Sequence, residues 1–347
     1  MTMDLTRLRS VYESEGPFAT VYLEGRSPSE EAGEQLRLRW RDLREQLSGA
    51  GAGSGVLDAL ESSVLGAEPG EEQTNGRVLV VTEDAGVVLA EPWDAALGAG
   101  DAAYWRPLPE LGSYVREACR SVRMLVAIAD EQGAVLRQEV LAQQHHPREL
   151  ASETVEGSAE TGTHKPRGQA LSHKQLQRRA EQAVESNVEE IVSRLSTIEA
   201  EFRPRLLVLA GETQARSMIR DKLPDRLAEL RVDADRGGDQ DEAAERALAE
   251  QLREAAEAES TRNAQERAEQ LSAGLAHGQA VHGDRAVARA AEMGAVDTLL
   301  LEYGTGTERE AFLLKACAET GARVDLVESG TGLAEGVGAL LRFPVDG

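Results

Sequence analysis

Gly162-Thr-His-Lys-Pro-Arg-Gly-Gln-Ala-Leu-Ser-His-Lys-Gln-Leu-Gln-Arg-Arg-Ala180 carries five Lys/Arg, two His and no carboxylate, while the rest of the chain sets 33 Lys/Arg against 61 Asp/Glu. Directly after it, Val184, Val188, Ile191, Leu195, Ile198 and Phe202 recur at alternating steps of four and three. That period predicts one amphipathic helix from about Leu171 to Glu201, with Pro204 as its stop. At 1.5 Å per residue it spans on the order of 45 Å, long enough to carry the basic segment away from a domain body. Arg205-Leu-Leu-Val-Leu-Ala210 then reads as a buried strand. A long helix between a basic loop and a buried strand makes the middle of the chain α/β.

The charge reversal bears on function. Cations beside a glycine suit a polyanion, because backbone can approach closely where no side chain intervenes. Arg178 and Arg179 sit near the positive end of the helix macrodipole, where acids are favoured, so an external anion accounts for them better than the helix does. Lys174 and Arg178 are four apart and share a face. An ordinary solvated helix start is the plain alternative. The overall charge of −23 repels nucleic acid and anionic membrane at long range, so any RNA contact must be focal, with neither DNA nor membrane as a partner.

A length of 347 residues fits two or three domains, with a core of Leu, Val, Ile and Ala because aromatics are only 3%. Cys119 and Cys317 offer neither a zinc spacing nor a disulfide framework. The first residues lack an apolar export segment, so a cytoplasmic setting is expected. His145, His146, His164 and His173 stand in no metal-binding spacing, and Ser, His and Asp form no nucleophile-elbow pattern; neither a metal nor a cofactor is expected.

Working outward, Phe18–Glu24 reads as a strand, Glu34–Leu47 as a helix, Ser48–Gly55 as a flexible surface loop, and Arg77–Thr82 with Gly86–Ala90 as a strand pair. Val122–Ala129 and Gly133–Val140 form another pair, and residues 143–167, without periodicity, read as a mobile loop. Glu212–Leu223 is helical, Asp233–Asp241 a charged loop, and Glu242–Leu275 a charged, Ala-rich helical stretch. Asp284–Met293 is a helix with Gly294 at its C′ position. Val296–Glu302, Glu308–Glu319 and Arg323–Val327 give strand, helix and strand. Gly330–Gly336 resembles a dinucleotide loop only superficially, since the βαβ unit it needs does not follow, and is read as a turn.

Three stretches, Lys165-Pro-Arg-Gly-Gln-Ala170, Arg205-Leu-Leu-Val-Leu-Ala-Gly211 and Ala291-Glu-Met-Gly-Ala-Val-Asp-Thr-Leu-Leu-Leu-Glu-Tyr303, resemble in order and spacing the archaeo-eukaryotic class I release factors and Pelota proteins. The likeness runs from about Val122 to Tyr303. It is strongest to the bacterial, largely actinobacterial branch that includes the ribosome hibernation factor Balon. The resemblance implies a three-domain release-factor-like architecture with mixed sheets flanked by helices. Its parts are an N-terminal α/β domain over residues 1–120, a middle domain over 121–255 with the basic loop and long helix, and a C-terminal α/β domain of ribosomal L7Ae/L30 type over 256–347.

In that family a Gly-Gly-Gln loop enters the peptidyl-transferase centre, where the Gln helps place water at the ester between peptide and tRNA. That task is positioning and oxyanion stabilisation. Gly168 and Gln169 match the second Gly and the Gln, whereas Arg167 replaces the first Gly and suits gripping RNA better than a tight loop. The first domain lacks Asn-Ile-Lys-Ser, so stop-codon reading is not expected. The resemblance therefore implies occupancy of the ribosomal A site in hibernation or rescue. Lys165, Arg167, His173, Lys174, Arg178 and Arg179 would meet 23S rRNA and the tRNA end, with elongation factor Tu or another translational GTPase as partner. Two alternatives stay open: peptidyl-tRNA hydrolysis by Gly168 and Gln169, and a stress protein that keeps the fold without binding ribosomes.

Overall fold

The computed structural model describes residues 2–24, 32–66, 76–93, 100–130, 132–141, 147–156, 173–234 and 242–345. These fall into two compact units, one built from residues 1–120 with 260–347 and the other from 121–259.

The first unit opens with β1 (Met3–Asp4), a 3-10 turn (Leu5–Leu8), α1 (Arg9–Tyr12) and β2 (Phe18–Leu23). Next come α2 (Ala32–Gly49), α3 (Ser54–Leu65), β3 (Arg77–Thr82), β4 (Gly86–Pro92), β5 (Ala102–Arg106) and α4 (Gly112–Arg120). Every residue of β2 is buried because both faces of its sheet, ordered β4-β3-β2-β5, are covered. Ala19, Val21 and Leu23 meet α2 and α3, whereas Phe18 and Tyr22 join a second cluster with Leu5, Leu8 and Val115. Thr20, on a fully buried strand, accepts from the Glu110 amide at 3.1 Å, which removes the penalty for its hydroxyl.

The second unit holds β6 (Val122–Ala129), β7 (Gly133–Leu141), β8 (Arg148–Glu156), α5 (His173–Phe202), β9 (Leu206–Gly211), α6 (Thr213–Lys222), α7 (Asp225–Glu229), β10 (Arg231–Asp233) and the first half of α8 (Glu242–Ala276). Its sheet runs β10-β9-β6-β7-β8, with β6 parallel to β9 and antiparallel to β7. Alternation sends Leu125, Ala127, Leu207 and Leu209 toward α5 and α6, and Met124, Val126, Leu206 and Val208 toward Leu248, Leu252 and Ala256 of α8. Such a strand, apolar at every position, is what a sheet covered on both faces requires.

The remaining elements belong to the first unit: the second half of α8, β11 (Ala280–His282), α9 (Asp284–Glu292), β12 (Val296–Glu302), α10 (Glu310–Glu319), β13 (Arg323–Val327) and β14 (Val337–Leu341). They form the sheet β1-β13-β12-β14-β11, in which β12 and β13 are parallel. Gly294 has φ 67, and the Ala295 amide reaches back to the Ala290 carbonyl at 2.9 Å, closing α9 as its sequence predicts.

Two expectations about loops need correction. Residues 148–156, read as part of a mobile loop, are β8, paired antiparallel to β7 through eight registered partners with a bulge at Gln138/Glu139. The Ser48–Gly55 loop is shorter than expected: α2 runs through Gly49 and α3 begins at Ser54, which leaves Ala50–Gly53 as the connection. The charged stretch after Asp241 is one continuous helix of 35 residues.

Candidate nucleic-acid interface

Lys165, Arg167, Gly168 and Gln169 lie outside the described residues, as do His145, His146 and His164. His173, Lys174, Arg178 and Arg179 have described backbone in the first two turns of α5, and their side chains lie outside the description. The structure therefore locates the helix that follows the basic segment and gives the frame holding it.

That frame is apolar. Val188, Ile191, Leu195 and Ile198 are 4%, 2%, 0% and 1% exposed, with Phe202 packed partly buried beside them, so the predicted stripe is the face on the sheet. The helix ends where Arg203 turns into the left-handed region at φ 52 ahead of Pro204. The Arg205 amide then bonds the Arg123 carbonyl at 2.8 Å and starts β9 alongside β6.

Several of the charges along the described part of α5 are paired within the same unit. Lys222 Nζ of α6 donates to Glu189 Oε1 at 2.8 Å and Glu185 Oε1 at 2.9 Å, and these bonds hold its ammonium above the usual range. Arg194 Nη2 donates to Glu153 Oε2 of β8 at 2.6 Å, and the guanidinium holds that carboxyl below its ordinary value. Arg226 Nη2 lies 2.7 Å from Glu199 Oε1. Paired acids and bases of this kind leave α5 beyond Glu185 with no cationic surface of its own.

Two groups were not foreseen. Asn187 lies beside the stripe, one residue before Val188, and its Oδ1 is buried without a hydrogen-bond partner among the described residues. A polar residue beside a stripe position is the sequence signal that marks it. Glu139, on β7 beneath α8, is 4% exposed, and burial above all pushes its carboxyl up to about 7. Its register partner Met124 faces α8, which fixes the side of the sheet on which Glu139 lies. Among the described residues no three His, Cys, Asp or Glu side chains converge as a metal site, and no helix is long and apolar enough to cross a membrane.

Residues 123–277 match the family model of the bacterial archaeo-eukaryotic release factor family 2. Among curated proteins, the uncharacterized protein Rv2629 of Mycobacterium tuberculosis strain H37Rv is 26% identical over 97% of this chain and 96% of its own length, and MT2704 of strain CDC 1551 matches equally. Among solved structures, a ribosome-bound archaeal Pelota with ABCE1 covers 99% of this chain and 95% of that chain, at 15% identity and TM-score 0.44. Dom34 of S. cerevisiae, a translation termination-like factor interacting with Hbs1, covers 78% of this chain and 80% of that chain, at 12% identity and TM-score 0.43. The matched stretch, residues 123–277, takes in nearly all of β6 and the whole of α5, β9 and α8, so this part of the chain is similar to the bacterial archaeo-eukaryotic release factors.

Proposed function

We propose that this protein is a ribosome-associated translation factor that enters the A site and sets residues 162–180 against RNA near the peptidyl-transferase centre, in hibernation or rescue. One observation carries the reading: the basic segment runs straight into a 30-residue helix within the stretch that matches the release-factor family. From His173 to the first well-buried anchor, Val188, the helix axis rises about 22 Å, a reach suited to a narrow RNA-lined site. Lys165, Arg167, His173, Lys174, Arg178 and Arg179 supply the cations, and a translational GTPase such as elongation factor Tu delivers the protein.

Co-sedimentation of the full chain with ribosomes across a salt series tests this. Binding should weaken linearly in log affinity against log salt, and Lys174→Glu with Arg178→Glu should lower affinity by on the order of tenfold or more. Absence of association at low salt would refute the proposal, and unchanged binding by the double variant would refute the role of the basic segment. Gly168-Gln169 keeps a second reading in view, ester hydrolysis of peptidyl-tRNA. Peptide release that disappears in Gln169→Ala would establish it, and equal release by both proteins, or none, would exclude it.

A further inference from the structure

A cavity of about 260 Å³ lies inside the 121–259 unit, between the sheet and the helices α5 and α6. Its place follows from topology. β6 and β9 are adjacent and parallel, so their carboxyl ends lie side by side, yet β6 continues into β7 on one flank and β9 leads through α6 to β10 on the other. Chains that diverge in this way leave a crevice at the strand ends, the usual position of ligands in open α/β sheets.

The crevice is held open by rigid backbone. Gly211 ends β9 with φ +94, and a Cβ there would stand 2.1 Å from the Ala129 carbonyl oxygen, so only glycine lets the chain turn this tightly over β6. The following amide, Glu212 N, bonds that carbonyl at 2.8 Å. Across the opening, Asp130 Oδ1 accepts from the Gln132 amide at 2.7 Å and the Gly133 amide at 2.9 Å, which commits its carboxylate to the turn.

The walls define the ligand. Val184, Val188 and Ile191 of α5 face Ala215, Met218 and Ile219 of α6, an apolar lining in which the thioether adapts to irregular shapes. Among the described residues no Lys, Arg or His lines the cavity, so among them phosphates and carboxylate metabolites find no counter-charge. The lining does include Asn187, whose Oδ1 is buried with no partner among the described residues. An acceptor left in that state carries a desolvation penalty that a ligand donor relieves. A dry apolar cavity of about 150 Å³ holds benzene, so this larger space suits one or two fused rings.

We infer that this cavity is a binding site for a small uncharged molecule with an apolar ring body and one N–H or O–H donor, which bonds Asn187 Oδ1. The site is independent of the ribosomal role and would stand if that role failed.

Indole and its oxygen isostere benzofuran, which lacks the donor, are the probes. The full chain, labelled at its methionine methyl groups, is titrated with each and followed by NMR. Indole should shift the Met218 methyl saturably, and benzofuran should bind about tenfold more weakly, the cost of an unmade hydrogen bond to a buried acceptor. Asn187→Leu should bring the two affinities together, and Ala215→Leu, which fills the space, should abolish both. No saturable Met218 shift with indole up to its solubility limit overturns the inference, and so does equal affinity of the two probes for the wild type. Both of those readings use the unmutated protein, so a variant that folds poorly leaves the test intact. Indole binding that persists in a folded Ala215→Leu variant places the probe elsewhere and also overturns it.

Discussion

Two long helices cover opposite faces of the sheet in the 121–259 unit, and they are attached by different means. α5 rests on an unbroken apolar stripe whose members are each less than 5% exposed from Val188 through Ile198, apart from Val192 at 9%. α8 buries Leu248, Leu252 and Ala256 against that sheet, with Ala255 partly buried beside them, and polar contacts add to these. Arg137 Nη1 donates to Glu245 Oε2 at 2.9 Å, and Arg205 Nη2 donates to Glu259 Oε1 at 2.7 Å. Farther along, in the other unit, Asn263 Nδ2 and Arg267 Nε of α8 reach the two oxygens of Asp325 at 3.0 and 2.9 Å. Apolar attachment is non-directional and forgiving of conditions, whereas each polar attachment depends on one partner in one charge state.

The largest effect should come from the polar side. Asp325 is 0% exposed and also accepts from Thr2 Oγ1 at 2.6 Å. Burial by itself would raise its pKa, but the Thr2 hydroxyl, the Leu326 amide and Arg267 help hold it below the ordinary carboxylate value. Asp325→Ala should cost about 3–5 kcal/mol, because Arg267 and Asn263 lose a buried acceptor. A lowered carboxylate stabilises the fold above its unfolded pKa and ceases to do so as pH falls through the folded one. The gap between wild type and variant in urea unfolding should therefore be full at neutral pH and close only in strong acid. A gap under about 1 kcal/mol at neutral pH would mean that α8 is held chiefly by its apolar residues.

Next comes the apolar counterpart. Leu195 is 0% exposed in the middle of the α5 stripe. Leu195→Ala should cost about 2–5 kcal/mol by lost transfer and residual cavity. Since no charge is involved, the loss should be the same at pH 5 and pH 8. A loss that changes with pH would break the contrast between the two helices.

The same contrast explains what was legible in the sequence. The α5 stripe announces itself because a three-and-four period has one cause, burial of one face, and the strands β6, β9 and β12 announce themselves as apolar runs bounded by turn residues. β8 does not, because an edge strand needs only backbone partners from β7, and Leu150 on it is 50% exposed. α3 was hidden behind glycines whose composition suggests a loop, although Val56, Leu57, Leu60 and Val64 keep helical spacing. The charged stretch of α8 was recognisably helical, but its attachments to Arg137, Arg205 and Asp325 lie 54 to 108 residues away in sequence and leave no periodic trace. For the candidate interface, the chain names the cations and the structure supplies the helix that begins at His173 and includes four of them.

A smaller effect tests the polar face of the sheet by pH. Glu139 lies beneath α8 beside Arg137, and burial, with Glu149 and Glu245 adding to it against the opposing Arg137, raises it from 4.5 to about 7. A raised carboxyl stabilises the folded state while protonated, so its contribution is present below about pH 4.5 and is lost as pH climbs through 7. Across that window the wild type should lose about 1–3 kcal/mol that Glu139→Gln retains. Urea midpoints of the two proteins should diverge from pH 5 to pH 8, with the Gln variant the more stable at the upper end. Parallel pH profiles would show that Glu139 is ionised without cost.

The smallest effect comes from Glu245, and its sign separates two roles. Its bond to Arg137 is largely solvated, and a solvated pair contributes about 0–1 kcal/mol. Direct loss of that bond in Glu245→Gln should therefore be slight, and about 0.5 M salt should erase it. The same substitution removes one of the negative charges that raise Glu139 and releases Arg137 to favour its ionised form. The Glu139 transition should then move to lower pH, so the variant's pH-dependent loss ends at a lower pH and is smaller in total than the wild type's. If the midpoint of that transition stays in place while stability falls at every pH, Glu245 acts only as a clasp for α8, and Glu139 titrates under burial alone.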